Sequence, residues 1–393
     1  VTSAPAGITC GADCAGDFGH GTMVTLTATP TAGSTFTGWS GGGCTGASTC
    51  VLTVTAAAAT TATFTADQVT LTVTKTGAGS GTVTSSPAGI TCGADCTETV
   101  NYGTMITLSA TPAGGSIFNG WSGGGCTGTG SCVVTLTAAT TVTADFALAP
   151  FALSVTKAGT GAGTVTSAPA GINCGADCTE PYTNGTSVTL TAAASPGSTF
   201  TGWSGGGCTG TGTCTVSITA AISVTATFTL NTYTLTVALA GTGVGTVTSS
   251  PAGIACGADC TETVGHGATM TLTATPVAGT TFAGWSGGGC SGTGTCAVTV
   301  TAATTVTATF TLNTYTLAVT KAGTGAGTVS SSPAGISCGA TCSAAFGHGT
   351  SVVLTATPSG GSTFSGWSGG GCAGTGTCTV AMTAAASVTA TFA

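Results

Sequence analysis

The chain has 393 residues, of which only 3% are charged, and its three Lys and ten acidic residues give a net charge of −7. Ordinary domains carry about 25% charged residues. Because no basic surface is available to neutralise phosphate, we expect no nucleic-acid partner and no charge-driven adhesion to anionic lipids. No apolar run reaches the roughly 18 residues that a membrane-spanning helix needs, so we expect no membrane span.

Two cysteine-containing motifs recur along the chain at a fixed interval. The segments Cys-Gly-Ala-Asp-Cys (with Thr341 replacing Asp in the fifth copy) and Gly-Trp-Ser-Gly-Gly-Gly-Cys repeat every 82 residues, as the Trp positions show: Trp39, Trp121, Trp203, Trp285 and Trp367. A fixed period indicates a repeat array. We predict five modules, at residues 1–66, 67–148, 149–230, 231–312 and 313–393.

The fourth copy illustrates the predicted elements in chain order. Apolar residues alternate with Thr in short runs that are separated by Gly and Pro, which is the pattern of strands in an all-β domain. Six or seven short strands are expected, with Phe282 and Trp285 leading into the Gly-rich loop. The runs lie near residues 233–237, 246–248, 261–264, 269–275, 298–300 and 306–310.

These runs predict an all-β protein of five tandem, small, β-sandwich-like modules. The link Thr229–Thr232 contains no Gly and no Pro-Ser tract, so it does not read as a flexible linker. We therefore expect the array to form a rod or a regular superhelix. Its outward residues are mainly Thr, and it lacks the Lys that usually protects edge strands, which favours association of the chain with itself.

The 20 Cys fall into five equivalent sets of four. An even number at regular spacing predicts a disulfide framework formed in an oxidising compartment. Zinc is the alternative, but the C-x5-C pair is wider than the knuckles of zinc ribbons. Pairing of sequence neighbours is preferred, and two crossed connectivities remain open in each module. The preferred pairs are Cys10–Cys14, Cys44–Cys50, Cys92–Cys96, Cys126–Cys132, Cys174–Cys178, Cys208–Cys214, Cys256–Cys260, Cys290–Cys296, Cys338–Cys342 and Cys372–Cys378.

Few polar residues are candidates for chemistry. His20, His266 and His348 sit in Gly-His-Gly, and Tyr102 and Asn184 replace them in the other copies, so we interpret the position as a turn residue. One Asp stands in each C-x3-C loop of the first four copies, which is too little for a calcium site and predicts a cap of the loop backbone. Paired carboxylates, a Ser–His–acid set and a phosphate loop are all missing. We expect no enzyme, no cofactor and no metal.

The five Trp residues allow two interpretations. They are predicted to pack in the module cores beside a disulfide, as in many small sandwiches. The alternative is that they are exposed and form platforms on which sugars stack.

Three segments carry a resemblance to a known family. Gly-Thr-Val-Thr-Ser-Ser-Pro-Ala-Gly-Ile, Cys-Gly-Ala-Asp-Cys and Phe-x-Gly-Trp-Ser-Gly-Gly-Gly-Cys resemble the divergent internalin-type B-repeat modules of bacterial extracellular proteins, and the resemblance covers the whole chain. It implies a secreted or surface-displayed protein in which the modules act as stalk, spacer or adhesive units. It brings no catalytic residues with it.

The sequence therefore predicts a structural extracellular protein that forms or contributes to a surface fibre, sheath or stalk. Its expected partner is itself, because the first module lacks the first strand of the others. A head-to-tail continuation of the array or β-strand addition would fill the groove beside Val1–Pro5. The alternative is a binding protein, which would use exposed Trp for glycans or Thr ladders for ice.

Overall fold

A computed structural model describes all residues from Val1 to Ala393, and they form strands, turns and loops throughout. None of its elements is a helix that could cross a membrane. The chain divides into two compact units. One comprises Val1–Thr156, Val165–Thr191 and Trp203–Thr225, and the other comprises Lys157–Thr164, Ala192–Gly202 and Ala226–Ala393. The all-β fold with a disulfide set in each of five repeats is as predicted.

The strands follow the same order in every repeat. The first repeat has β1 (Thr2–Ala4), β2 (Thr22–Thr27), β3 (Ser34–Ser40), β4 (Cys50–Val54) and β5 (Thr61–Ala66). The second has β6 (Gln68–Thr76), β7 (Gly81–Ser86), β8 (Thr91–Cys92), β9 (Thr97–Asn101), β10 (Met105–Pro112), β11 (Ser116–Ser122), β12 (Cys132–Thr135) and β13 (Thr140–Leu148). The third has β14 (Pro150–Ala158), β15 (Gly163–Ala168), β16 (Asn173–Cys174), β17 (Thr179–Thr183), β18 (Ser187–Ala194), β19 (Ser198–Ser204), β20 (Cys214–Ser217) and β21 (Ile222–Leu230).

The last two repeats continue the series. The fourth has β22 (Thr232–Gly241), β23 (Gly245–Ser250), β24 (Ala255–Cys256), β25 (Thr261–Gly265), β26 (Ala268–Pro276), β27 (Thr280–Ser286), β28 (Cys296–Val300) and β29 (Thr304–Leu312). The fifth has β30 (Thr314–Ala322), β31 (Gly327–Ser332), β32 (Ser343–Gly347), β33 (Ser351–Pro358), β34 (Phe364–Ser368), β35 (Cys378–Ala381) and β36 (Ala386–Phe392).

Each complete repeat consists of two sheets. In the second repeat the strand orders are β12-β10-β7-β8 and β11-β13-β6-β9, and the fourth repeat has the same arrangement as β28-β26-β23-β24 and β27-β29-β22-β25. The first and last strands of a repeat are central neighbours and run parallel, with Leu71 opposite Thr140 and Thr76 opposite Asp145. In the third repeat, β14 pairs with β17 and β18 pairs with β20, both antiparallel.

The alternation of Thr with apolar residues produces the core. Along β26, Met270 and Leu272 are buried whereas Thr273 is exposed, because successive side chains of a strand point to opposite faces. Both sheets of the second repeat contribute to one core, which includes Leu71 from β6, Leu108 from β10 and Phe146 from β13. The outward face therefore carries mainly hydroxyl groups.

The second, third and fourth repeats have eight strands each, so the prediction of six or seven was low by one or two there, whereas the fifth repeat has seven. The missed strand of the fourth repeat is β24, a two-residue strand that enters the C-x3-C loop and pairs Cys256 with Val247. The segment around Phe282 and Trp285 also proves to be a full strand, β27, rather than only a lead into the loop.

The first repeat differs from the others in one sheet. Its sheets are β1-β2-β4 and the two-stranded β3-β5, and no strand occupies the position that β6, β22 and β30 hold in their repeats. Five residues of its core are fully buried, against fifteen in the second repeat.

Candidate functional site

The disulfides lie at the two ends of the repeat motif. The structure pairs Cys92 with Cys96 and Cys126 with Cys132, and the same neighbours are paired in every repeat, with no free cysteine. The Cα atoms are 4.2–4.3 Å apart in the C-x3-C pairs. In the C-x5-C pairs they are 5.4–5.6 Å apart. No group of three or more metal-binding side chains is placed to hold an ion.

The tryptophan motif builds a closed loop around a buried indole. All five Trp side chains are 5% exposed. The indole N–H of Trp121 donates to the carbonyl oxygen of Gly130 at 2.6 Å, and Gly130 lies within the loop that the Cys126–Cys132 disulfide closes. The disulfide therefore fixes the acceptor of the indole hydrogen bond.

The residue spacing in Phe-x-Gly-Trp requires an irregular strand. Phe118 and Trp121 are three positions apart and would point to opposite faces of a regular strand. A register shift between Phe118 and Gly120 turns both rings to the core side. The two rings then meet edge to face, with centroids 5.0 Å apart. The alternative in which exposed Trp residues bind glycans is therefore wrong, because the indole faces are covered.

The backbone conformation explains the three consecutive glycines after Trp-Ser. Gly123, Gly124 and Gly125 all have positive φ, at 81°, 58° and 80°. Three consecutive residues in this region favour Gly, since other residues visit it only singly and at a cost. The loop therefore serves to close the turn beside the disulfide.

The acidic residues of the C-x3-C loops accept hydrogen bonds from the backbone. Asp95 Oδ1 accepts from the N–H of Thr97 at 3.1 Å, and Asp177 and Asp259 make the same bond to the residue two positions on. Asp13 accepts from Ala15 at 3.0 Å. This is the turn-capping role that Asp commonly takes.

The sequence predicts a stiff link between repeats, but not the hydrogen bonds that make it so. A single residue links consecutive repeats, and both of its backbone groups are hydrogen-bonded across the junction. At the last junction the Asn313 N–H donates to Gly279 O at 2.9 Å, and the His348 N–H donates to Asn313 O at 2.8 Å. The same two bonds recur around Asp67, Ala149 and Asn231.

From the second repeat onward, the turn residue that precedes Gly103, Gly185, Gly267 or Gly349 packs on a glycine of the preceding repeat. Tyr102, Asn184, His266 and His348 contact Gly33, Gly115, Gly197 and Gly279, where a Cβ would overlap their side chains. The Nδ1 atoms of His266 and His348 are buried without a hydrogen-bond partner, so this is a packing contact. The signal available in the sequence was that a non-glycine residue holds this position in every copy.

The geometry defines a class of protein with tandem two-sheet repeats, in which each repeat has two local disulfides and consecutive repeats are joined by a single hydrogen-bonded residue. All five repeats match the family described as divergent InlB B-repeat domain, over residues 1–68, 71–150, 153–232, 234–314 and 315–393. The chain belongs to this family, which confirms the resemblance found in the sequence. No curated protein matches the chain.

Solved structures show only distant likeness. The Bacillus anthracis TIE protein matches with a TM-score of 0.43 and 7% identity, over 84% of this chain and 69% of that chain. A major pilin protein of Streptococcus pyogenes matches with a TM-score of 0.20 and 11% identity, over 42% of this chain and 97% of that one. Two B repeat units of a Staphylococcus aureus collagen binding protein give 0.16 and 10%, over 83% and 98%.

Proposed function

We propose that the protein is a structural extracellular repeat protein that forms or contributes to a surface fibre, sheath or stalk. In this role the repeats set a length and hold a direction, and they carry out no reaction. Membership of the divergent InlB B-repeat family supports the proposal.

The observation that carries the proposal is the junction between repeats. The linking residue has no unbonded backbone group, and its side chain adds a third bond at three junctions, where Thr35, Thr199 and Thr281 donate to Asp67, Asn231 and Asn313 at 2.6–2.7 Å. A link of one residue with these bonds restricts bending at the junction, in contrast to a Gly/Ser linker.

Composition and disulfides support the location outside the cell. Disulfides persist in oxidising environments and are rare in the cytosol of most organisms. A repeat of this size has a thin core, and each small closed loop adds stability of about 2 kcal/mol in the loop-entropy model. A protein exposed to dilution and proteases outside the cell benefits from this added stability.

We also propose that the protein is not an enzyme. Its fully buried side chains include no polar or charged residue, whereas catalytic groups are positioned by packing and by hydrogen bonds from their surroundings. The carboxylates of the C-x3-C loops are engaged with backbone N–H groups, as described above.

Electron microscopy of the purified protein tests the proposal. Filaments, sheaths or extended particles of uniform length are the expected result, because every junction has the same two backbone hydrogen bonds. Compact particles, or particles that bend freely between repeats, would show that the array sets neither a length nor a direction.

The rival function, ice binding by Thr ladders, has one supporting observation. Exposed Thr pairs face each other across strands, with hydroxyl oxygens 3.0 Å apart in Thr189–Thr215 and 3.1 Å apart in Thr269–Thr299. Such pairs stabilise a sheet by about 0.2–1 kcal/mol, which accounts for them without ice. Inhibition of ice recrystallisation at micromolar protein would favour the rival function.

A further inference from the structure

The fourth repeat differs from the second, third and fifth at one surface position. Leu239 holds this position in the fourth repeat, and a lysine holds it in the other three, as Lys75, Lys157 and Lys321. Each lysine Nζ donates to a glycine carbonyl oxygen at 3.0–3.2 Å, and the acceptors are Gly81, Gly163 and Gly327. The corresponding acceptor in the fourth repeat is Gly245, and Leu239 has no group that could donate to it.

The carbonyl oxygen of Gly245 is not used by the sheet. At the end of the β23–β26 ladder the Val277 N–H donates to Val244 O at 3.0 Å, so these residues form a hydrogen-bonded pair. Bonded and non-bonded pairs alternate along an antiparallel ladder, so the carbonyl of Gly245, the next residue, points away from β26. On that side β24 pairs only with Val247 and Thr248. The acceptor is therefore free.

Apolar side chains surround this free acceptor. Gly245 lines a groove of about 130 Å³ together with Leu239, Val244 and Phe310. Leu239 is 42% exposed, Val244 64% and Val277 49%. Val277 lies directly across from Val244, so its side chain extends the apolar strip beyond the groove on the same face. At the positions of Val244 and Val277 the other complete repeats have smaller residues, which are Ser80 and Ala113, Ala162 and Ser195, and Ala326 and Ser359.

The charge of the fourth repeat favours a cation at this site. Residues 231–312 include Asp259 and Glu262 and no Lys or Arg. An ammonium group forms charge-assisted hydrogen bonds, which are stronger than neutral ones. The apolar walls suit the methylene stem of a lysine, since this side chain lays its stem along apolar surface while its ammonium reaches a polar group.

We propose that the fourth repeat binds a lysine side chain of a partner polypeptide, with its ammonium on Gly245 O and its stem between Leu239 and Val244. The partner supplies the cation that the chain's own lysine supplies in the other complete repeats. A free amine would leave Val277 uncovered, whereas the residue beside a lysine in a polypeptide can contact it. All three lysines of this chain already donate to their own glycine carbonyls, which favours a different protein as the partner. The structural role of the array does not require this binding.

The test uses the whole 393-residue protein and the peptide acetyl-Val-Lys-Val-amide, followed by amide chemical shifts. The Thr246 amide reports binding, because it belongs to the same peptide group as the Gly245 carbonyl. We expect its signal to shift with a saturable curve for one site. The amides of Thr82, Thr164 and Thr328 adjoin carbonyls that already accept from lysine, so they are internal controls and should not shift.

Two further probes test which chemistry is recognised. Nε-acetylation of the peptide lysine keeps the stem and removes the charge, so the affinity should fall about tenfold or more. The n-butylammonium ion has the stem and the charge without flanking residues, and it should bind more weakly than the peptide. The substitution Val277→Ser introduces the residue type of the fifth repeat, and it should weaken binding of the peptide but not of n-butylammonium.

The substitution Leu239→Lys tests the position of the site. It introduces the residue of the other complete repeats, so the fold should be kept, and the new ammonium should occupy Gly245 O and prevent the peptide from shifting Thr246. The proposal fails if this variant binds the peptide equally, if the acetylated peptide binds as well as the charged one, or if about 10 mM peptide leaves Thr246 unshifted. Equal affinity for n-butylammonium and the peptide would overturn a polypeptide as the source of the cation.

Discussion

The substitution Gly279→Ala tests whether packing at the repeat junction is energetically significant, and the chain provides a matched control. Gly279 and Gly361 hold the same position in consecutive repeats, with φ of +77° and +81°. A Cβ at Gly279 would overlap the His348 ring, whereas nothing lies within 4 Å of a Cβ at Gly361. Ala pays the cost of positive φ, about 1–2 kcal/mol, at both sites, so the difference between the variants isolates the junction contact.

The expected difference follows from the cost of overpacking. Inserting an atom into a filled contact costs about 1–3 kcal/mol, and each 1.4 kcal/mol is about tenfold in an equilibrium. The lower end is expected, because His348 is half-buried and its ring can move toward solvent. Protection of the His348 and Asn313 amides should therefore fall about 5- to 10-fold in Gly279→Ala.

Hydrogen exchange on the whole protein measures this difference, and a double substitution checks its cause. Gly361→Ala should leave both junction amides unchanged. Gly279→Ala combined with His348→Ala removes the overlap and should restore part of the protection, giving a coupling energy of opposite sign to the single effect. Equal protection in Gly279→Ala and Gly361→Ala, or no coupling with His348→Ala, would refute the reasoning that the ring on the glycine supports the junction.

Three further predictions concern the disulfides, the indole loop and proteolysis. Alkylation of the native protein without reductant should modify no thiol, and peptide mapping should find Cys10 linked to Cys14 and never to Cys44. Modification of all twenty thiols would contradict the disulfides and favour a metal site. The substitution Trp285→Phe removes the N–H that donates to Gly294 O at 2.6 Å. It should destabilise the fourth repeat by about 1–3 kcal/mol, as measured by local hydrogen exchange. Unchanged stability of this repeat would mean that the indole hydrogen bond contributes nothing. The folded protein should survive both trypsin and broad-specificity proteases until its disulfides are reduced, and rapid digestion with the bridges intact would contradict a stapled array. The only trypsin sites are Lys75, Lys157 and Lys321, whose ammonium groups donate to backbone carbonyls at 3.0–3.2 Å.

The sequence predicts where the strands lie better than it predicts which strands pair with each other. Alternation along β26 shows that Met270 and Leu272 point inward, and the prediction holds because burial of alternate side chains is a local property. That Leu235 of β22 lies opposite Thr304 of β29, in parallel, is not encoded in either strand's period. Strand neighbours depend on how the whole repeat closes, and two strands that begin about 70 residues apart leave no local signal of their pairing.

The residue type at the repeat junction varies between repeats, although its structural role does not. The replacement of His348 by Tyr102 or Asn184 in other repeats favours a simple turn residue at this position. The structure gives the position a different requirement, a backbone N–H and a side chain that covers the preceding glycine, and several residue types meet it. A position can therefore have a structural role across repeats without keeping one side chain.

The parallel pairing of the first and last strands has a mechanical consequence. In the second repeat, β6 begins at one end of the sheet and β13 finishes at the other, so a pull on the two ends of the repeat slides the strands along each other. Force in this direction loads all hydrogen bonds of the pair together, whereas an antiparallel terminal pair would open one bond at a time. The pair is also central in its sheet, between β9 and β11, so neither strand can be peeled from an edge. A chain of such repeats is expected to resist traction along its length.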